Sequence, residues 1–191
     1  MKQYMYLLVV ILIIVGCSRQ VQRIDENTII DLSGRWNDTD SRLVAEEMVK
    51  DGLSRPWLIN HVESKGQRPT IIVGLVMNKT HELINTETFI REIEREFLNS
   101  GKIRLVQAGE AREQLRDERA DQQEYASVET TKKWGMEKGA DYILQGVINS
   151  IVDTYNNRKV VNYQVDLELS NLENNEKVWI GSKSIRKFIT N

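Results

Sequence analysis

Cysteine occurs once in this sequence, at position 17, and a single thiol excludes an intrachain disulfide, so the fold must rest on packing. Histidine occurs twice, as His61 and His81, with Glu63 and Glu82 beside them rather than at the helical spacing that aims two ligands at one metal. With no second sulfur ligand, a zinc site is not expected, and no cofactor is expected either. The 28 acidic and 26 basic residues nearly cancel, which removes the electrostatic reason to expect a nucleic-acid partner. No Gly-x-Ser-x-Gly elbow, phosphate-cradling glycine loop or dinucleotide fingerprint occurs, and Gly135, Gly139 and Gly146 are spaced like caps and a strand kink. After the first residues, no apolar run approaches the roughly 20 that a membrane helix needs.

What is present begins at the start of the chain. An apolar run from Leu7 to Val15 follows Lys2 and ends in Ile14-Val15-Gly16-Cys17. The run is too short to span a bilayer and a small residue precedes the cysteine, which is the pattern of a bacterial lipoprotein signal peptide. Residues 1–16 are therefore expected to be removed, Cys17 to carry the lipid, and residues 17–30 to form a short tether ahead of one globular domain over 31–191. The 13 residues from Ser18 to Ile30 reach at most about 45 Å when extended. Ser18 directly after the cysteine leans towards the outer membrane, since aspartate there marks inner-membrane retention in enteric bacteria.

Within the domain, Asp31 to Asp38 reads as an ordered loop around Trp36. A helix follows, capped by Asp40 or Ser41, with Leu43, Val44, Met48 and Leu53 inward, and Pro56 opens a second helix through Trp57, Leu58 and Val62. Thr70 to Met77 is an interior strand, apolar on both faces. Asn85 or Thr86 caps the clearest helix, with Phe89, Ile90, Ile93, Phe97 and Leu98 on one face, Glu87 to Arg91 paired on the other, and Gly101 closing it before a strand from Ile103 to Val106. Glu110 to Glu124 is charged nearly all round and belongs on the surface, and Ser127 is placed to cap a further helix to Lys138. Three strands close the chain: Tyr142 to Val152, a strand in which Tyr163, Val165, Leu167 and Leu169 face inward, and Lys177 to Phe188. Asn156-Asn157 and Asn174-Asn175 are the turns between them. Trp179 faces one side of its strand, and Val178 and Ile180 face the other.

Candidate functional residues are few. Asp38 with Asp40, or Glu46 with Glu47, could serve as a hydrolase pair, although 28 acids make such neighbours common on solvated helix faces. Two stretches are candidates for partner contact: Arg35, Trp36, Asn37 and Asp38 in the early loop, where Trp36 could instead belong to the core, and Arg112, Arg116 and Arg119 on the charged helix, which could instead be a solvated face laced with ion pairs.

The lipobox, the segment Asp31 to Arg42, the junction Leu53-Ser54-Arg55-Pro56-Trp57, the element Gly139-Ala140-Asp141-Tyr142-Ile143-Leu144-Gln145-Gly146 and the tail Tyr163 to Leu169 together resemble the LpoB family. These are lipoprotein activators of class A penicillin-binding proteins, and the similarity spans about Asp31 to Phe188. The Gly-Ala-Asp element is also similar to TolB amino-terminal domains and secretion lipoproteins, so an envelope adaptor or pore component is the alternative. The resemblance implies an α/β domain of α+β type, with helices on a mostly antiparallel sheet as in the TolB amino-terminal domain. It further implies a non-enzymatic, monomeric activator, lipid-anchored at the outer membrane and facing the periplasm. Such an activator docks on a bifunctional peptidoglycan synthase and stimulates synthesis. The family's enterobacterial members carry a long proline-rich tether, whereas here the prolines are Pro56 and Pro69, both inside the domain.

Overall fold

Alternation of large apolar and polar side chains sets the last third of the chain into long strands, and these carry the fold. The computed structural model describes residues 20–25, 28–127, 129–132 and 137–190. The lipobox with Cys17, and Trp134 and Gly135 further on, lie outside the described residues. The elements are α1 (Asp38–Leu53), α2 (Pro56–Lys65), β1 (Thr70–Lys79), α3 (Thr86–Ser100), β2 (Arg104–Val106), α4 (Gly109–Tyr125), β3 (Tyr142–Tyr155), β4 (Arg158–Asn171) and β5 (Lys177–Thr190).

The five strands form one sheet in the order β2-β1-β3-β4-β5. β1 lies parallel to both neighbours, and the β3–β4 and β4–β5 ladders are antiparallel, so the sheet is mixed. Its two long ladders are the antiparallel ones, as the mostly antiparallel sheet expected from the local hairpin turns requires. The parallel pairs depend on α3 and α4 as crossovers and have no such signal. Both hairpins turn where expected, on Asn156 with φ 51° and Asn175 with φ 63°, left-handed conformations that asparagine tolerates.

One sheet face is dry. Ile71, Val73, Val76, Leu144, Ile148, Tyr163, Val165, Leu167, Leu169 and Trp179 are buried there against Val44, Ala45, Met48 and Val49 of α1 and Phe89, Ile93 and Phe97 of α3. Trp57 of α2 completes the layer and donates its indole N–H to the Gly52 carbonyl at 2.7 Å. Among the described residues the core runs from Trp36 into β5, and none ahead of Trp36 contributes to it. On the other face, α4 stands over the β2–β1–β3 edge, while Ile180 and Phe188 of β5 remain exposed.

Several local expectations need correction. α1 starts two or three residues earlier than expected, because Asn37 is the cap and Asp40 takes the reciprocal place of a capping box. Leu43 is exposed, and Ala45 and Val49 share the buried stripe instead. Leu98 and Val62 are exposed as well. Arg91 pairs with Glu94, not Glu87. The segment from Ser127 makes a turn, closed by the Thr130 and Thr131 amides on the Ser127 carbonyl, rather than a helix, over its described residues. β1 bulges between Val73 and Val76, which turns Leu75 out to solvent.

Candidate partner-binding surfaces

The early loop is a strap stitched to the body by polar groups. Asn37 accepts the Asp40 amide at 3.0 Å and donates through Nδ2 to Asp31 at 2.8 Å and to the Ile30 carbonyl at 3.2 Å. Lys187, an inward-facing residue of β5, holds Asp31 at 2.5 Å, Asp40 at 2.6 Å and the Arg35 carbonyl at 2.9 Å. Burial pulls its ammonium pKa down, but the two carboxylates outweigh burial and leave it above the usual lysine value.

Trp36 points inward. Its ring packs edge-on against Tyr163 and Phe89, with centroids 5.6 Å and 6.2 Å away, and its indole N–H donates to Ser41 at 2.8 Å. Burial, with the Glu82 carboxylate next in effect, pushes the Tyr163 phenol pKa up and keeps it neutral. Of the four loop candidates, Trp36 and Asn37 therefore serve the fold, and Arg35 and Asp38 present exposed side chains. Lys187 carried a signal that sequence reasoning passed over: a lysine at an inward position of an alternating strand calls for a buried carboxylate partner.

α4 buries no side chain. Arg116 and Arg119 converge on Glu137, at 3.0 Å and 2.6 Å, and Arg112 donates to the Gln107 carbonyl at 2.9 Å. These hydrogen bonds, Arg116 first and Arg119 next, hold the Glu137 carboxyl at about 2. All three candidate arginines are thus folded back onto the domain, and the outward face of α4 shows Gln114, Asp117 and Glu118. The strap sits on β5 and α4 at the opposite, β2 edge of the sheet, so the structure does not bring the two candidate groups together.

Of the four candidate hydrolase carboxylates, Asp38 is exposed and the other three are engaged. Asp40 is committed to Lys187, Glu46 lies 3.0 Å from Arg42, and Glu47 pairs with Lys183. His81 contacts Ser150 at 2.7 Å and Glu82 at 3.4 Å. His61 is buried, with Nδ1 3.0 Å from the Tyr142 hydroxyl and Nε2 3.9 Å from Asp141, at the wall of an open cleft of about 750 Å³. Burial, then the nearby Asp141 charge, raises the Tyr142 pKa. Among the described residues no group of three His, Cys, Asp or Glu side chains is placed to hold a metal.

A model of the family described as peptidoglycan-synthase activator LpoB matches residues 40–185, which is the body from α1 into β5. The chain belongs to the LpoB family. Among solved structures, the LpoB C-terminal domain from Escherichia coli is 20% identical, with 76% of this chain and 98% of that one covered and a TM-score of 0.49. The corresponding domain from Salmonella enterica is 16% identical over the same shares, with a TM-score of 0.45. Lipoprotein GNA1162 from Neisseria meningitidis is 16% identical, with 63% of this chain and 83% of that one covered and a TM-score of 0.39. Among curated proteins, none matches the chain. The family is one of peptidoglycan-synthase activators.

Proposed function

We propose that this protein is a non-enzymatic, lipid-anchored activator of a class A penicillin-binding protein, and that it stimulates peptidoglycan synthesis from the periplasmic side of the outer membrane. The observation that carries this reading is the family match, which runs over residues 40–185, from the first turn of α1 into β5. Cys17 is the lipid site, residues 1–16 the removed leader, and the protein acts as a monomer without cofactor.

An activator of this kind works by binding the active conformation of its partner more tightly than the idle one. A difference of 1–3 kcal/mol, typical of such coupling, corresponds to about 5–150-fold. The outward face of α4 is the favoured docking surface, because α4 buries no side chain and Gln114, Asp117 and Glu118 are exposed there to set orientation and on-rate. Arg35 and Asp38 on the strap are the second candidates.

The test is reconstitution. Purified protein should bind a bifunctional synthase and raise its glycan polymerisation and crosslinking, and Asp117→Lys with Glu118→Lys should weaken binding while leaving the fold unchanged. Failure to bind or stimulate any class A synthase from the same cell would overturn the reading.

A further inference from the structure

At the end of the sheet where β3 turns into β4, the uncovered face changes character. Three cross-strand rows close it: Ile151, Asn162 and Arg186; Asp153, Val160 and Phe188; Tyr155, Arg158 and Thr190. Phe188 is 63% exposed, Ile151 70% and Tyr155 77%. Arg158 and Arg186 project among them without an ion pair among the described residues, and Asp153 is the one carboxylate in these rows. An exposed apolar and aromatic cluster edged by free guanidinium groups is the composition that settles at a lipid headgroup boundary.

The strap arrives at the same place. Asp31 is bonded to Lys187, next to Phe188, and Leu32, 93% exposed, shares a cleft with Arg186, Phe188 and Thr190. Gly34, at φ 66°, lies so close to Ile189 that an added Cβ would overlap that side chain, which fixes the strap against the end of β5. Only 13 residues separate Asp31 from Cys17. A segment of that length keeps this end within about 45 Å of the lipid, and at high effective concentration near its bilayer.

We infer that this sheet end, built from Leu32, Ile151, Tyr155, Phe188, Arg158 and Arg186, is a membrane-contact surface for an anionic phospholipid bilayer. The choice of occupant rests on the reading of Cys17 as the lipid site. Contact here turns the opposite end, with α2 and the Asn174-Asn175 turn, away from the membrane. β3, β4 and β5 each run 14 residues, so that end stands roughly 45 Å off the bilayer surface. The short tether and the tip then work as two signals, which holds the domain in one orientation where a lipid alone would leave it free to tumble.

The chain from Ser18 onward carries every core residue among those described, so it can be tested without lipid or leader. It should co-sediment with vesicles enriched in phosphatidylglycerol and much less with phosphatidylcholine alone. Arg158→Glu with Arg186→Glu should lower binding to the anionic vesicles by roughly fivefold or more per charge. Tyr155→Ser with Phe188→Ser should lower it on both vesicle types, with the thermal melt unchanged because both side chains are exposed. Lys102→Glu, at the far end of the sheet, should change neither. Absence of vesicle binding, or equal loss in the Lys102→Glu control, would overturn the inference. So would tip variants that lose synthase binding and keep vesicle binding, since the surface would then be a protein dock. Mass analysis of Cys17 in membrane extracts tests the lipid reading separately.

Discussion

The ammonium of Lys187 lies 2.6 Å from the carboxylate of Asp40, in an ion pair whose side chains are only 6% and 9% exposed. Two residues 147 positions apart in the chain thereby tie the last strand to the first turn of α1. Removing one partner of such a pair strands a buried charge, which costs about 3–5 kcal/mol. Lys187→Met should therefore lower the unfolding free energy by that order in chemical denaturation, and adding Asp40→Asn should recover part of it.

The same pair sets an alkaline limit. The Asp40 and Asp31 carboxylates hold Lys187 above the ordinary lysine value of 10.5 in the folded state, so its contribution is complete below 10.5 and disappears as pH rises through the folded value. Wild-type stability should fall in that window, and the Lys187→Met chain should lack that part of the fall. A denaturation midpoint with the same alkaline slope in both proteins would refute the assignment.

Asn37→Ala removes the acceptor for the Asp40 amide and the donor to Asp31 and Ile30. Loss of the cap alone is worth about 1 kcal/mol, and limited proteolysis should in addition cut the strap ahead of Trp36 faster. Asn37→Asp keeps the cap acceptor but sets a carboxylate against Asp31, so it should restore the melting temperature only in part.

The cap shows where the sequence was legible and where it was not. Asn37, Asp40 and Ser41 are all competent caps, and choosing among them requires knowing that Lys187 claims Asp40. Elements with strong period and local turns, such as α3 and the β4 alternation, could be read directly because their signals lie within a few residues. The parallel placement of β1, the inward turn of Trp36 and the folding-back of Arg116 and Arg119 all depend on partners at a distance. A charged helix reads the same whether its arginines face solvent or a carboxylate in the next segment.

Gly146 sits opposite Leu167 in the β3–β4 ladder, beside the β1 bulge. A Cβ there would overlap the Leu167 side chain and come within 2.6 Å of the Asp166 carbonyl. Gly146→Ala should destabilise by about 1–3 kcal/mol, the usual cost of overpacking. At Gly139 an added Cβ meets nothing within 4 Å, so Gly139→Ala should leave the midpoint unchanged in the same measurement.

α4 is held by Glu137 rather than by a buried stripe, and that separates its stability from the stability of the core. Glu137 titrates at about 2 instead of 4.5, so the attachment is complete above 4.5 and is lost as pH falls towards 2. Amide exchange across residues 109–125, corrected for the intrinsic pH dependence, should accelerate through that window while the β3–β5 amides stay protected. Glu137→Gln should produce the same fast exchange already at neutral pH, with no loss of global stability, because no side chain of α4 is buried. If instead the whole domain melts with Glu137→Gln, α4 belongs to the cooperative core. A docking helix that must meet a partner is better placed outside that core, where it can adjust without unfolding the sheet beneath it.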